Sequence, residues 1–559
     1  MRKTAETLTA AVRQLRKDPN RGFRFLGLDR QERYFSYEAL EAEALRRAAR
    51  LQALGIERGD RIAMVLPEPH EFVLSFLGAA FAGAVPVPIF PQASFRKTEA
   101  YLDSLQHIVE TSGARWLVCM QRNLELVSKL KQRKLKQVRF FIAPDDLNPT
   151  PEDLIGFKEP ELTPEDLCFL QFTSGSTSKP KGVMVTHRNV ITNARSFLGP
   201  DGLNRSDDDI GVSWLPLFHD MGLIGFVLGT LVCDIPVVLF PTELFGRSPR
   251  MWLELISKHR ATITYAPNFA YQLVTKRLRD RDIAQLDLSS LRVAGCGAEP
   301  IRASTLRDFA ARLEPAGFRQ TAFLPSYGMA ESTLAISFHD VAKAITVDNV
   351  DAEAMQRGQA LPAEPERPAL ELVSCGVPFP GHELNIVDED GRELEPRSVG
   401  EVVVRGPSVT PGYFENPEAS DEVIRDGWLH TGDLGYLAEG QLYICGRLKD
   451  LIIIRGANHH PQDIEWAVAE IEGVRRGNVF AFSVMQEGRE QLVIAAEANS
   501  TEAERLRREI PVCVQREFGL TPDRVCIAPV GSLPKTSSGK AQRRKAKQLF
   551  ESGRLAQHP

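Results

Sequence analysis

Between residues 36 and 119 apolar and polar positions follow a repeating grammar. In SYEALEAEALRRAARLQALG, Leu40, Ala44, Ala48 and Leu51 recur at helical spacing. Ser36 stands where an N-cap belongs and Gly55 where a helix stops, so residues 36–55 read as a helix. RIAMVLP then reads as a buried strand, PHEFVLSFLGAAFAGA as an apolar helix and VPVPIF as the next strand. Apolar strands separated by helices continue through WLVCM, LCFLQFT, PVVLF, ATITYA and LRVAGCG. Unbroken apolar runs suit strands buried on both faces, so the pattern predicts an α/β fold with parallel sheets covered by helices.

The pattern changes near residue 373. HELNIVDEDGRELEP and GYLAEGQLYICG alternate around turns at Asp390-Gly391 and Glu439-Gly440, which predicts a small antiparallel β subdomain. After Gly446 a smaller α+β unit is expected: DLIIIRG, a helix around Gln462–Ile471, strands GNVFAFSV and QLVIAAEA, a charged helix near 501–518 and a basic helix from Ala541. The division is therefore a large domain over 1–446 and a small mobile domain over 447–559. The polar, Ala/Pro/Glu-rich segment Phe338–Leu372 reads as an inserted or weakly packed element, and Gln121–Arg139 as a basic amphipathic stretch whose simplest account is a solvated helix face.

Composition narrows the class. A chain of 559 residues exceeds one hydrophobic core. Hydrophobic content of 43% and charged content of 25% are those of a globular protein, and a net charge of -5 argues against a general nucleic-acid binder. The charged start MRKTAETLTAAVRQLRKDPN carries no apolar core of secretory length, and no run is apolar enough for a membrane span. The eight cysteines are scattered without a Cys-x-x-Cys pair, which suits reduced thiols in the cytoplasm.

The strongest chemical signal is LQFTSGSTSKPKG, Leu170 to Gly182, directly after a predicted strand. Thr173, Ser174, Ser176, Thr177 and Ser178 supply hydroxyls, Gly175 and Gly182 permit close approach, and Lys179 and Lys181 supply charge. Such a loop can wrap a polyphosphate. The competing reading, a flexible Ser/Gly linker, is poor because strands bracket the segment. It is not a Walker A loop, whose spacing is absent; Ser538-Gly539-Lys540 fails that pattern too.

This loop resembles the phosphate-binding signature of the adenylate-forming superfamily, which includes acyl-CoA synthetases, peptide-synthetase adenylation domains and luciferases. Further segments match in the same order: GAEP from Gly297, SYGMAES from Ser326, HTGDLG from His430, GRLKD from Gly446 and LPKTSSGK ending at Lys540. The resemblance implies ATP and Mg²⁺ as cofactors. It implies an adenine-side loop of Gly297, Ala298 and Glu299. It implies an aromatic–acid motif of Ser326, Tyr327, Gly328, Met329, Ala330, Glu331 and Ser332, with the tyrosine ring against adenine. Glu331 and Thr173 would hold magnesium, Asp433 would accept from the ribose, Arg447 would contact ribose or phosphate, and Lys449 would be the hinge. Lys540 would reach the reacting centre, making Lys540, Thr173 and Glu331 the catalytic candidates. A carboxylate attacking the α-phosphorus of ATP needs such cations, because two anions meet and charge grows on the departing pyrophosphate.

WLPLFHDMGLIG, APNFAY, VSCG and DLIIIRGANHHPQDIE narrow the resemblance to fatty acyl-AMP ligases. That implies a fatty acid substrate and transfer of the acyl group to the phosphopantetheine thiol of an acyl carrier protein. A fatty acyl-CoA synthetase using free CoA, and a non-catalytic lipid- or nucleotide-binding homologue, remain alternatives. His219, Asp220, Met221 and Phe269 are candidates for the acyl pocket. His219-Asp220 reads better as pocket wall than as a dyad, since neighbours on an extended chain point apart. His459-His460 reads as a turn before a helix rather than as metal ligands.

Overall fold

Parallel pairing begins where the apolar runs begin. In the computed structural model, which describes residues 4–92, 98–120, 140–173, 179–454, 457–486, 489–536 and 539–558, strands Val85–Pro88, Arg61–Val65, Trp116–Cys119 and Phe140–Ile142 form a four-stranded parallel sheet in that order. A nine-stranded sheet lies beside it. Its centre is parallel through Phe323–Gly328, Val293–Cys296, Ile263–Ala266, Gly211–Ser213, Val237–Leu239 and Gly22–Leu26, and antiparallel strands close both edges.

Helix Tyr37–Ala53 shows why the local pattern was legible. The Ser36 hydroxyl accepts from the Ala39 amide, Leu40, Ala44, Ala48 and Leu51 are buried, and Gly55 takes φ +93°. The run LCFLQF departs from the parallel expectation. Leu167–Phe172 pairs antiparallel with Gly182–Thr186 in a two-stranded hairpin. It is apolar on both faces because it is packed on both: Phe169 belongs to one core and Leu170 to another. A continuous apolar run reports burial, not strand direction.

The antiparallel subdomain comprises Glu383–Val387, Gly400–Arg405, Trp428–Ala438, Ile424–Arg425 and Gln441–Arg447. Glu439 and Gly440 both take positive φ at the expected turn (51° and 74°). The segment read as weakly packed is instead anchored. Val347–Asp351 pairs with Ala369–Val373, and Val350, Met355 and Ala360 are buried against Leu434, Tyr436, Tyr443 and Cys445. Asp348 accepts from the Tyr436 hydroxyl (2.8 Å) and from Arg397 (2.9 Å). Polar composition concealed this because three apolar contacts and one partly buried carboxylate suffice to hold it. The basic stretch 121–139 lies outside the described residues.

Beyond residue 452 the chain builds its own cores. Helices Pro461–Ala469 and Ala503–Phe518 cover one face of a sheet of Val479–Gln486, Arg489–Glu497 and Arg524–Ala528, and helix Arg543–Glu551 covers the other. No helix among the described residues is long and apolar enough to cross a membrane.

Candidate active site

One cleft of about 2190 Å³ runs between the large lobe and the last hundred residues, and most of the singled-out residues line it. The hairpin Leu167–Phe172/Gly182–Thr186 presents Thr173, Lys179 and Lys181 to it, and the Thr173 amide donates to the Lys181 carbonyl (3.1 Å), closing the hairpin's base. Ser174, Gly175, Ser176 and Thr177 lie outside the described residues. Lys181 Nζ sits 4.8 Å from the centre of the Tyr413 ring, a cation–π contact.

The hydroxyl of Tyr413 donates to Glu331 Oε1 (2.7 Å). Glu331 stands on a single 3₁₀ turn, Ala330–Ser332, that ends in strained backbone. Thr333 takes φ +65°, ψ −66°, a costly conformation for a β-branched residue, and is held by its hydroxyl donating to the Ser408 carbonyl (2.6 Å). Burial raises the Glu331 carboxyl above the usual range, and the Tyr413 hydroxyl pulls it back. Glu331 turns a carboxylate with one neutral donor toward the cleft that Thr173 also lines, and these are oxygen donors of the kind a magnesium ion takes. Among the described residues no group of three or more His, Cys, Asp or Glu is placed to hold a metal, His459 and His460 included.

Opposite, the Tyr327 hydroxyl donates to Asp433 Oδ2 (2.7 Å) and Arg447 Nε to Oδ1 (3.1 Å). Asp433 and Arg447 face each other across adjacent strands, so the sheet register itself sets this pair. Ser326, Gly328, Met329 and Ala330 line the same wall. Gly297 and Ser332, expected at the nucleotide, stand behind it. A Cβ at Gly297 would lie 2.8 Å from Ser326 Oγ, so the glycine serves close packing, and Ser332 is fully buried. Ala298 takes φ +67°, turning the chain so that Glu299 Oε1 accepts from the Phe269 amide (2.6 Å). Burial holds the Glu299 carboxyl above its ordinary range.

His219 and Asp220 correct the extended-chain argument. They sit at the start of a short helix, Asp220–Leu223, where the turn brings His219 Nδ1 to 2.5 Å from Asp220 Oδ1. Burial alone would raise Asp220, but His219 and then Lys540 outweigh it and hold the carboxyl low.

Lys540 comes from the far lobe. Its amide donates to the Thr536 hydroxyl (3.0 Å) and its carbonyl accepts from the Thr536 amide (2.9 Å), which fixes the turn that carries it. Burial pulls its ammonium below the ordinary lysine range. Asp220, Glu299 and Asp433 act in the opposite sense, and Arg447 adds to the lowering. The lysine thus faces the same carboxylates that the large lobe presents. Lys449 is exposed, 3.8 Å from Glu422. Arg302 Nη1 meets Glu470 Oε1 across the lobes (2.9 Å).

Beside His219, Met221 and Phe269 the cleft's lining includes apolar side chains of the large lobe, among them Phe197, Leu203, Phe226, Ile235 and Ile263. One side is a turn of π-helix, Ile224–Leu228, an irregularity common at functional sites. Sequence reasoning missed Tyr413, Gln171, Lys535 and Tyr265, all lining the cleft. Gln171 and Lys535 lay inside recognised motifs; the other two carry no signal of type or spacing.

Comparison with known proteins agrees with this geometry. The family model described as AMP-binding enzyme matches residues 12–414, and one described as Disco-interacting protein 2-like, AMP domain, matches residues 449–558. A Caulobacter vibrioides protein bearing an acyl-CoA synthetase name is 38% identical over 524 residues, covering 92% of this chain and 90% of its own. The medium-chain-fatty-acid–acyl-carrier-protein ligase JamA of Moorena producens is 35% identical over 547 residues, covering 93% and 90%. A solved structure from work on fatty acyl-adenylate ligases of E. coli and L. pneumophila superposes with a TM-score of 0.92 at 35% identity, covering 98% of each chain.

Proposed function

The chain belongs to the AMP-binding enzyme family, and from that premise we propose that it activates a fatty acid with ATP and hands the acyl group to the phosphopantetheine thiol of an acyl carrier protein. The observation that carries the reading is a single cleft lined by Thr173 and Lys181 from one lobe, Lys540 from the other, and apolar side chains such as Phe226 and Ile263. A long acyl chain gains about 0.8 kcal/mol for each methylene buried against such side chains.

In the first step a carboxylate oxygen bonds to the α-phosphorus of ATP and the bond to the bridging oxygen breaks, releasing pyrophosphate. Lys540 meets the carboxylate and α-phosphate, while Thr173 and Lys181 hold the departing phosphates. Tyr327, Asp433 and Arg447 form the nucleoside wall, with Asp433 accepting from the ribose and Tyr327 against the base. Glu331 and Thr173 would hold a magnesium ion, which when bound would supply charge neutralisation at the phosphates. In the second step the small lobe turns about Lys449, carrying Lys540 away and opening a path for the thiol, a hinge motion. The thiol sulfur then bonds to the acyl carbon, AMP departs and the thiol proton is lost to solvent.

The relatives support a fatty acid as substrate and a carrier protein as acceptor, since one is named for that transfer; another bears a CoA-synthetase name. Mass spectrometry of products from ATP, Mg²⁺ and mixed fatty acids, with either CoA or phosphopantetheine-loaded carrier, decides between acceptors. The carrier thioester is expected, and rapid acyl-CoA formation contradicts the assignment.

A further inference from the structure

Strands Gly400–Arg405 and Trp428–Ala438 pair regularly except at one break. Glu401 faces Leu434 and Val403 faces His430, so Val402 alone stands against Thr431, Gly432 and Asp433. The longer side bulges, and Gly432 takes φ +68° within it, a backbone that suits glycine. A bulge withdraws amides from the ladder, and here side chains receive them. The Gly432 amide donates to Glu401 Oε1 (2.9 Å). The Asp433 amide donates to the Thr431 hydroxyl (3.1 Å), which itself donates to the Val402 carbonyl (2.7 Å). Glu401 Oε2 accepts from His430 Nδ1 (2.8 Å). One carboxylate therefore spans the bulge from His430 to Gly432. The Glu401 and His430 side chains are only 17% and 14% exposed, so water competes weakly for these bonds.

Resting on the ribose role given to Asp433 above, we propose that Glu401 is a positioning residue for ATP: it holds the bulge that presents Asp433 to the ribose. On one side Asp433 pairs with Arg447 in the neighbouring strand, and its carboxylate receives Tyr327 and Arg447. On the Gly400–Arg405 side the pairing is interrupted, so the side chains of Glu401 and Thr431 take the place of the ladder. Without the Glu401 carboxylate, the Gly432 amide and His430 lose their acceptor together, and a bulge containing glycine gains backbone freedom. Asp433 then samples a wider range of positions, which ATP must restrict on binding. The acyl side of the cleft, beside His219, Met221 and Phe269, is built from other segments, so fatty acid affinity is spared.

The test measures kcat and KM for both substrates in the native enzyme, Glu401→Ala, Asp433→Ala and the double variant. Glu401→Ala should raise the KM for ATP roughly tenfold, the effect of one charge-assisted hydrogen bond, with kcat and the fatty acid KM within about twofold of native. Glu401→Gln keeps an oxygen for the Gly432 amide and should recover most of the loss. In the Asp433→Ala background, removing Glu401 should raise the ATP KM by less than about twofold, because its effect runs through Asp433. A native ATP KM in Glu401→Ala, equal losses on ATP and fatty acid, or a full loss in the Asp433→Ala background overturns the inference. If Glu401→Ala does not fold, the same cycle run with Glu401→Asp, whose shorter side chain cannot span both donors, decides in its place. If Asp433→Ala leaves the ATP KM native, the ribose reading fails instead. Hydrogen exchange of strand Trp428–Ala438 then decides the stapling itself: protection lost in the Glu401 variant supports it, and unchanged protection overturns it.

Discussion

The hydroxyl of Tyr413 stands 2.7 Å from Glu331 Oε1 while its ring supports Lys181 Nζ at 4.8 Å, so one side chain couples the carboxylate to the phosphate-side cation. Tyr413→Phe keeps the ring and removes the donor. The Glu331 carboxyl, already raised by burial, should rise further, so its ionised form is lost at higher pH. The acid limb of the pH–rate profile should move upward, and kcat/KM for ATP at neutral pH should fall about tenfold. An unmoved acid limb contradicts the coupling.

Lys540 should act in the transition state rather than in nucleotide binding. Lys540→Ala should slow acyl-adenylate formation by about 10²–10³-fold, the scale for one preorganised charge-stabilising group, with little change in ATP affinity. Because burial lowers its pKa and the charged form is the useful one, native activity should fall as pH rises through a value below the ordinary 10.5. Single-turnover rates and equilibrium ATP binding measured on the same variant check both statements.

Asp433 receives both the Tyr327 hydroxyl and Arg447. Asp433→Ala leaves those donors without their acceptor and removes the proposed ribose contact. The KM for ATP should rise at least tenfold while the KM for the fatty acid stays near its native value. Equal increases in both would contradict a nucleoside-side role.

Asp463 is partly buried in the wall of the cleft with Glu465 nearby, and desolvation pushes its carboxyl up from 3.8 to about 7. A folded-state value above the unfolded one contributes stability that is complete below the unfolded pKa and is lost as pH rises through about 7. Asp463→Asn lacks that dependence. The melting temperature of the variant relative to the native protein should therefore increase between pH 5 and pH 8, by about 2–4 °C for each 1 kcal/mol involved. A difference that stays constant with pH contradicts the assignment.

The segment around Met355 tests whether a polar-looking insertion is integral to the fold. Met355→Ala should destabilise the protein by about 2–5 kcal/mol, as for a buried core truncation. A melting temperature unchanged from the native protein would mean that the segment is not bound to its neighbours.

How much was legible depended on how local the signal was. Ser36, Gly55 and the spacing of Leu40, Ala44, Ala48 and Leu51 act within one helix, so the sequence displayed them directly. The cleft was legible for the opposite reason: several separate segments match in order, and the structure brings Thr173, Glu331, Asp433 and Lys540 to one place. What stayed hidden arises only when distant elements meet. Tyr413 becomes informative once it reaches Glu331, and Tyr265 once Gly295 makes room for its ring. The His219–Asp220 contact was misjudged because the chain turns between the two residues, His219 being extended and Asp220 the first residue of a short helix. The direction of Leu167–Phe172 was hidden because burial on both faces looks the same in either orientation.

The central claim is that cations from two lobes converge on one ATP so that a fatty acid can displace pyrophosphate. Exchange of labelled pyrophosphate into ATP tests it most directly. Exchange that appears only when a fatty acid is added is the predicted result; none across medium and long chains would contradict the account.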